Sequence, residues 1–416
     1  MKSSSFNFQF FLVLWLINPF ISAFMLFRKM NLAKGIGPYL MISFFFGTSF
    51  VVAPGSLADG TRYANELKQL HDLQVPFGDY FSQIYDEDGS KLDIYQPLLT
   101  WLVSRFTSNY QWLFGFFSIV FGFFWFKSIQ LVRGLMPDRI NSLFLLLLLF
   151  FAFINPIWSI NGVRMWTAVG VFFYGLLNVH FLGNKKGYLF LTLPLLIHFS
   201  LIISLALYLI YRFFPTKNIT LLFTLYVLTF FVGELDLGII RGYFELLPGV
   251  VQSRRSYLSE EYVTGLKENV EEFAVHIQLY KFLLKYLIIV LVSWIYFSFF
   301  SKKARQFTKF SRFFALVLVF SAFSNLASQI PSGGRFSVLS NLLVVFSFIW
   351  CLSGNIKRHI SMAYQNIAVC ILLFIVIVQI RIGADYFGAF LFIGNPMVNL
   401  FNQDTTPFVE FIKALL

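Results

Sequence analysis

Four short stretches set chemically capable side chains beside small residues or apolar runs. They are Asp59-Gly60-Thr61-Arg62-Tyr63, Asn161-Gly162-Val163-Arg164, His198 within Leu196-Ile197-His198-Phe199-Ser200, and Gly333-Gly334-Arg335-Phe336. Arg164 and Arg335 each stand just before an apolar run. An arginine at the bilayer centre costs about 2.5–3.5 kcal/mol on insertion scales and much less at an interface. Each therefore reads first as a side chain reaching the headgroups. Their recurrence beside glycine adds a second reading. Glycine lets backbone approach a bulky ligand, and a guanidinium offers a planar fork of donors suited to phosphate oxygens. Together the pair points to anion binding. His198 is either a hydrogen-bonded structural group or, at a helix break, a proton-transfer group or a hydrogen-bond donor to substrate. Asp59 and Arg62 lie one helical turn apart and read as an i,i+3 ion pair. Asp59 is alternatively a base or a holder of a sugar hydroxyl.

Other chemistries have no residues to carry them. His71, His180, His276 and His359 are scattered, with no paired-histidine zinc spacing and no cysteine pair. Asp86-Glu87-Asp88 reads as a solvated loop. Neither a glycine-rich nucleotide loop nor a Ser-His-Asp signature occurs, so no metal and no cofactor are expected.

The elements that must position these groups follow from composition. The 416 residues are 58% hydrophobic and only 12% charged, with 57 phenylalanines. A soluble domain carries about 25% charged residues, so a soluble enzyme is excluded. Cys351 and Cys370 both lie in apolar runs, which excludes a disulfide scaffold. The apolar runs are continuous rather than alternating, which excludes a porin-type barrel. An all-α polytopic membrane protein remains, read as one integral domain over 1–416.

A spanning helix needs about 20 apolar residues. That rule predicts spans near 8–27, 37–53, 109–131, 140–159, 163–182, 219–240, 277–299, 313–331, 334–353 and 361–380. With the irregular segments, the total is about 10–12 transmembrane helices. Segments 93–106 and 386–401 are short and read as interfacial or re-entrant. Residues 1–23 read as a first spanning helix rather than a cleaved signal, because the stronger positive cluster follows the apolar run.

Charge sets the expected orientation. Short basic loops stay cytoplasmic; here they are Arg28/Lys29/Lys34, Lys127/Arg133/Arg139, Lys185/Lys186, Arg212/Lys217, Lys302–Arg312 and Lys357/Arg358. Segments 54–92 and 241–275 carry more acids than bases and are expected outside. All six basic loops fall on one side only if 187–214 breaks near Pro194–His198 and returns, a break that proline favours. The net charge of +12 then faces anionic membrane lipid, and no nucleic-acid partner is needed. Both termini, and all four chemical stretches, collect at the outer face.

In this order, these residues resemble the EpsG-like branch of the Wzy-type polysaccharide polymerases. Asp59–Tyr63 is similar to the family's early outer-face motif, and Asn161–Arg164, followed by Ala168, to its Asn-x-x-Arg helix start. Lys185/Lys186, His198-Phe199-Ser200 and Arg335-Phe336 are similar to its later elements. The likeness spans roughly 35–380. The first motif reads Asp-Gly-Thr-Arg-Tyr rather than Gly-Thr-Asp, and Val163-Arg164-Met165 replaces Ile-Arg-Gln.

The resemblance implies a metal-independent glycosyltransferase of GT-C type in the bacterial cytoplasmic membrane. Its substrate would be an oligosaccharide repeat unit on undecaprenyl pyrophosphate, joined to a second unit for O-antigen, capsule or exopolysaccharide. A flippase and a chain-length regulator would be its protein partners. Under it, His198 and Asp59 are the catalytic candidates, and Arg62, Tyr63, Asn161, Arg164 and Arg335 the substrate-binding ones. An O-antigen ligase or other lipid-linked glycosyltransferase remains open. So does a transporter or flippase of lipid-linked sugars, although that would place its polar groups near the midplane.

Overall fold

A computed structural model describes residues 7–28, 35–52, 58–85, 93–137, 140–213, 218–232, 274–300, 309–330, 332–353, 362–401 and 406–415. Lipid offers no hydrogen bonds, so a crossing segment must satisfy its own backbone, and helices do so. Among the described residues, six helical stretches are long and apolar enough to span a membrane. The chain is a multi-pass helical membrane protein.

The long helix α7 (Tyr110–Leu135), capped by the Asn109 side chain on the Gln111 N–H, organises the N-terminal half. Helix α3 (Gly37–Thr48) runs antiparallel to it. Tyr39 meets Phe126 at 4.8 Å between rings, while beyond the other end of α3 Phe50 stacks on Phe114 at 4.6 Å. Between them a Cβ on Gly47 would overlap the Phe114 carbonyl. Such close backbone approach is how small residues join helices in lipid, where apolar burial supplies no drive.

The 41-residue run Ser142–Leu182 is folded back on itself. Helix α8 (Ser142–Ile154) meets Pro156, a 3-10 turn covers Ile157–Gly162, and α9 (Val163–Leu176) descends alongside. Phe151 pairs with Phe173 at 5.7 Å, and the Asn155 amide donates to the Trp166 carbonyl at 3.0 Å.

The break predicted in 187–214 is present. Helices α10 (Gly187–Thr192) and α11 (Pro194–Ile197) climb back along α9, His198 is extended (φ −152°, ψ 110°), and α12 (Leu201–Phe213) returns. The His180 ring lies 5.7 Å from Tyr208 and 6.3 Å from Tyr211, so both feet of this hairpin stand at one end of α9.

The first span departs from expectation. Residues 8–27 form two ten-residue helices, α1 (Phe8–Ile17) and α2 (Pro19–Arg28), separated at Asn18. Each is about 15 Å long, half a hydrocarbon core, so neither crosses alone. Asn18 makes the break by capping Ile21 N–H and donating to the Phe392 carbonyl, both at 2.9 Å.

Residues 93–106 do not span. Helices α4 (Asp59–Asp72), α5 (Phe77–Tyr85) and α6 (Tyr95–Ser104) form a layer of short helices. Glu66 joins them, accepting from Tyr80 Oη at 2.6 Å and Gln96 Nε2 at 2.9 Å, and Arg105 donates to the Leu70 carbonyl at 2.8 Å. Segment 386–401 is likewise two single turns rather than a span.

The C-terminal half adds α13 (Ile219–Leu228), α14 (Val275–Phe299), α15 (Lys309–Ala327), α16 (Phe336–Ser353) and α17 (Met362–Gly383). One end of the bundle is basic. Tyr211 donates to the Arg312 carbonyl at 2.6 Å and Lys309 to that of Phe181, which brings residues near 181, 211 and 312 together. The basic groups at 29, 34, 139, 217, 302–305 and 357–358 lie outside the described residues, as do Asp86–Asp88 and nearly all of 241–275.

Candidate functional site

The end of the bundle opposite the basic one gathers the chemical groups. The 3-10 turn Ile157–Gly162 is forced there by Pro156, which cannot continue α8. It sets Asn161 against the first turn of α4, where Gly60 N–H donates to Asn161 Oδ1 at 3.2 Å. A Cβ on residue 60 would overlap that oxygen, so only glycine lets α4 dock this closely. Tyr386 stacks on Phe50 at 5.8 Å, and its carbonyl accepts Val51 N–H at 2.9 Å.

Arg164, the second residue of α9, lies between α4 and the chain before α6. Its Nε donates to Tyr63 Oη at 3.2 Å and its Nη1 to Asp93 Oδ2 at 3.1 Å. Burial raises the Tyr63 phenol above its ordinary value, with the Arg164 guanidinium opposing that rise. The phenol therefore stays protonated and keeps a donor of its own. These two bonds engage Nε and Nη1 and leave Nη2 as the guanidinium's third nitrogen, on a side chain 17% exposed.

Asp93 is the residue that sequence reasoning passed over. Its side chain is 3% exposed, and its second oxygen accepts Phe199 N–H at 2.7 Å. One carboxylate thus ties α9 to the tip of the 187–213 hairpin. An isolated buried charge would be costly, and burial is tolerable here because both oxygens are hydrogen-bonded and a cation is paired. A signal was available, namely a lone acid opening an apolar segment at 93–106, but it merged with the neighbouring acidic loop.

Next along that tip, His198 is half-buried. Its Nδ1 faces the Ser200 hydroxyl at 2.8 Å and the Ser200 backbone N–H at 3.3 Å. Ser200 Oγ also meets Met165 Sδ at 3.7 Å, which places His198 beside the start of α9.

Asp59 and Arg62 form the expected i,i+3 pair at 2.8 Å, with both side chains about half exposed. The pair stands at the rim: the Arg62 guanidinium lies 5.5 Å from the Tyr63 ring, and Asp59 contributes to the field at Arg164. Arg335 closes a short 3-10 turn, Gly333–Arg335, and is exposed. Helices α9 and α16 run parallel, since Phe173 pairs with Phe346 at 6.3 Å and Phe181 with Trp350 at 4.9 Å. Their starts, and so Arg164 and Arg335, share one end of the bundle. Among the described residues the two guanidiniums have no partner in common.

What results is a buried carboxylate–arginine–phenol chain with a histidine at a helix break nearby, the half-exposed Asp59–Arg62 pair at its rim, and exposed Arg335 at the same end of the bundle. Such a set can bind an anion, orient a hydroxyl and move a proton, at one end of an apolar bundle.

No curated protein and no solved structure matches the chain. The EpsG family model matches residues 55–390, a stretch that holds every one of the site residues above. The chain therefore belongs to the EpsG family, a family of Wzy-like polysaccharide polymerases and exopolysaccharide-biosynthesis proteins.

Proposed function

We propose that the protein polymerises oligosaccharide repeat units carried on a polyprenyl pyrophosphate, of the undecaprenyl type, at the outer face of the bacterial cytoplasmic membrane. The observation that carries this reading is the arginine-centred site at the bundle end opposite the basic residues. A short-loop basic end belongs on the cytoplasmic side, which leaves the site facing outward, level with the headgroups that flank a lipid-linked pyrophosphate.

In the reaction the donor's anomeric carbon loses its bond to the pyrophosphate oxygen, and the electron pair leaves with the lipid pyrophosphate. A hydroxyl of the second unit forms the new glycosidic bond and gives up its proton. Arg164, through Nη2, and Arg335 stabilise the charge that grows on the departing pyrophosphate. Asp93 and Tyr63 hold Arg164 in place, so no reorganisation is needed as that charge develops. The hydroxyl's proton passes to one of the two candidate bases at this end of the bundle, His198 or Asp59. Asn161 and Arg62 line the approach for the sugars, whereas Tyr63, expected from the sequence to bind substrate, is fully buried and serves to hold Arg164. The polyprenyl tail lies along the apolar flank of the bundle.

The test is made in cells that make the polymer. Arg164→Ala and Arg335→Ala, each present at normal level in the membrane, should replace long chains by single repeat units left on lipid. Normal chain length in both variants would remove the arginines from the site.

A further inference from the structure

A small cavity lies inside the helix bundle, between α7, α8, α9 and α16, with a volume of about 20 Å³. Aromatic rings and Leu342 make most of its wall. Three polar side chains also line it: Ser128 of α7, Asn155 at the end of α8 and Thr167 of α9. All three are more than nine-tenths buried. The Asn155 amide nitrogen donates to the Trp166 carbonyl at 3.0 Å, which fixes the orientation of the amide and leaves Oδ1 as an acceptor in need of a donor. Among the described residues neither that oxygen nor Ser128 Oγ has a hydrogen-bond partner. Thr167 Oγ1 stands beside the Tyr95 phenol without meeting it in hydrogen-bond geometry. Buried polar atoms in this state are costly, and in a lipid-embedded bundle no bulk water relieves them.

We infer that this cavity is a binding site for one water molecule, which bridges Ser128, Asn155 and Thr167 and ties α8 to α7 and α9 beneath the arginine-centred site. Size and chemistry agree. A single water needs about 10–15 Å³ and two to four polar partners, and the cavity offers room for one, with three oxygens around it. The water donates to Asn155 Oδ1 and shares its other bonds with two hydroxyls, each able to donate or accept. A hard cation takes about six or more oxygens, carboxylates among them, and no carboxylate is among the residues that line the cavity. An apolar occupant would leave the same oxygens unpaired. Location gives the water a task. Asn155 directly precedes Pro156 and the turn that carries Asn161, and Thr167 lies one helical turn on from Arg164. The bridge therefore holds both flanks of that turn, whatever reaction the site performs.

Two measurements on the full-length protein in lipid nanodiscs test it. An experimental structure at a resolution that shows ordered water should carry a single density peak within about 2.5–3.0 Å of Ser128 Oγ and Asn155 Oδ1. A cavity without density would overturn the inference. The second measurement is thermal stability. Gly170 also lines the cavity, and among the described residues a Cβ there would meet only Phe124 Cβ, at 3.8 Å. Alanine therefore fits at 170 and takes up the space of the water. Gly170→Ala is compared in the unaltered protein and in Ser128→Ala combined with Thr167→Val, where the water has lost two of its partners. The helix-propensity gain of alanine is common to both backgrounds. With water bound, the methyl displaces it and strands three oxygens in the unaltered protein but only one in the double variant. The change in melting temperature should accordingly be less favourable in the unaltered protein, by several degrees. Equal changes in the two backgrounds would mean that the methyl fills a dry void, and would overturn the inference.

Discussion

Arg164 Nη1 lies 3.1 Å from Asp93 Oδ2 across 71 residues of sequence, and both side chains are largely shielded from solvent. This contact joins the start of α9 to the tip of the 187–213 hairpin, since the same carboxylate accepts Phe199 N–H. Breaking a buried pair leaves an uncompensated charge and costs about 3–5 kcal/mol. Asp93→Ala should therefore lower the thermal stability of the detergent-solubilised protein as well as chain formation. Asp93→Ala combined with Arg164→Leu should cost less than the sum of the single changes. Additive losses would show that the two groups do not act as a pair.

Gly60→Ala is expected to disturb the site from its edge. The added methyl would occupy the place of Asn161 Oδ1, which accepts Gly60 N–H at 3.2 Å. Overpacking of this kind costs about 1–3 kcal/mol. Shorter chains with the protein still in the membrane are the expected outcome, and unchanged chains would place the α4 docking outside the mechanism.

Gly47→Val makes a contrasting case. Gly47 lies in the α3–α7 contact, against the Phe114 carbonyl, rather than among the site residues. Helix separation should lower the amount of folded protein in the membrane, with activity per molecule falling only in proportion. A normal membrane level would contradict the close packing described here.

The hairpin at His198 has a topological signature. With Cys351 and Cys370 replaced by alanine, single cysteines at 185 and 212 should be shielded from an impermeant thiol reagent in intact cells. A cysteine at 62 should react. Reaction at 212 but not 185 would mean that 187–213 crosses once, and the ring contacts of His180 with Tyr208 and Tyr211 would be wrong.

Much of the architecture was legible because its causes are local. Continuous apolar runs give α7, α14 and α15 directly, and Pro194 together with the basic-loop pattern gives the return at His198. The break at Asn18 escaped because the residues around it are uniformly apolar, and its stabilising partner, the Phe392 carbonyl, lies 374 residues away. In the site, Arg164, Asn161 and His198 stood out as polar groups at the edges of apolar runs. Asp93 did not, since its meaning depends on Arg164 and Phe199, neither of which is near it in sequence. The basic-loop pattern already put Arg335 at the same face as Arg164, and the parallel packing of α9 and α16 brings their helix starts to one end of the bundle.

The most direct measurement uses the purified protein in liposomes, supplied with polyprenyl-pyrophosphate-linked repeat units on the face that carries Arg62. Products are resolved by length, and released polyprenyl pyrophosphate is quantified. The account predicts a ladder of multiples of the repeat unit, with one lipid pyrophosphate released per new glycosidic bond, and loss of both in Arg164→Ala. Repeat units that remain single, or that merely move across the bilayer, would contradict it.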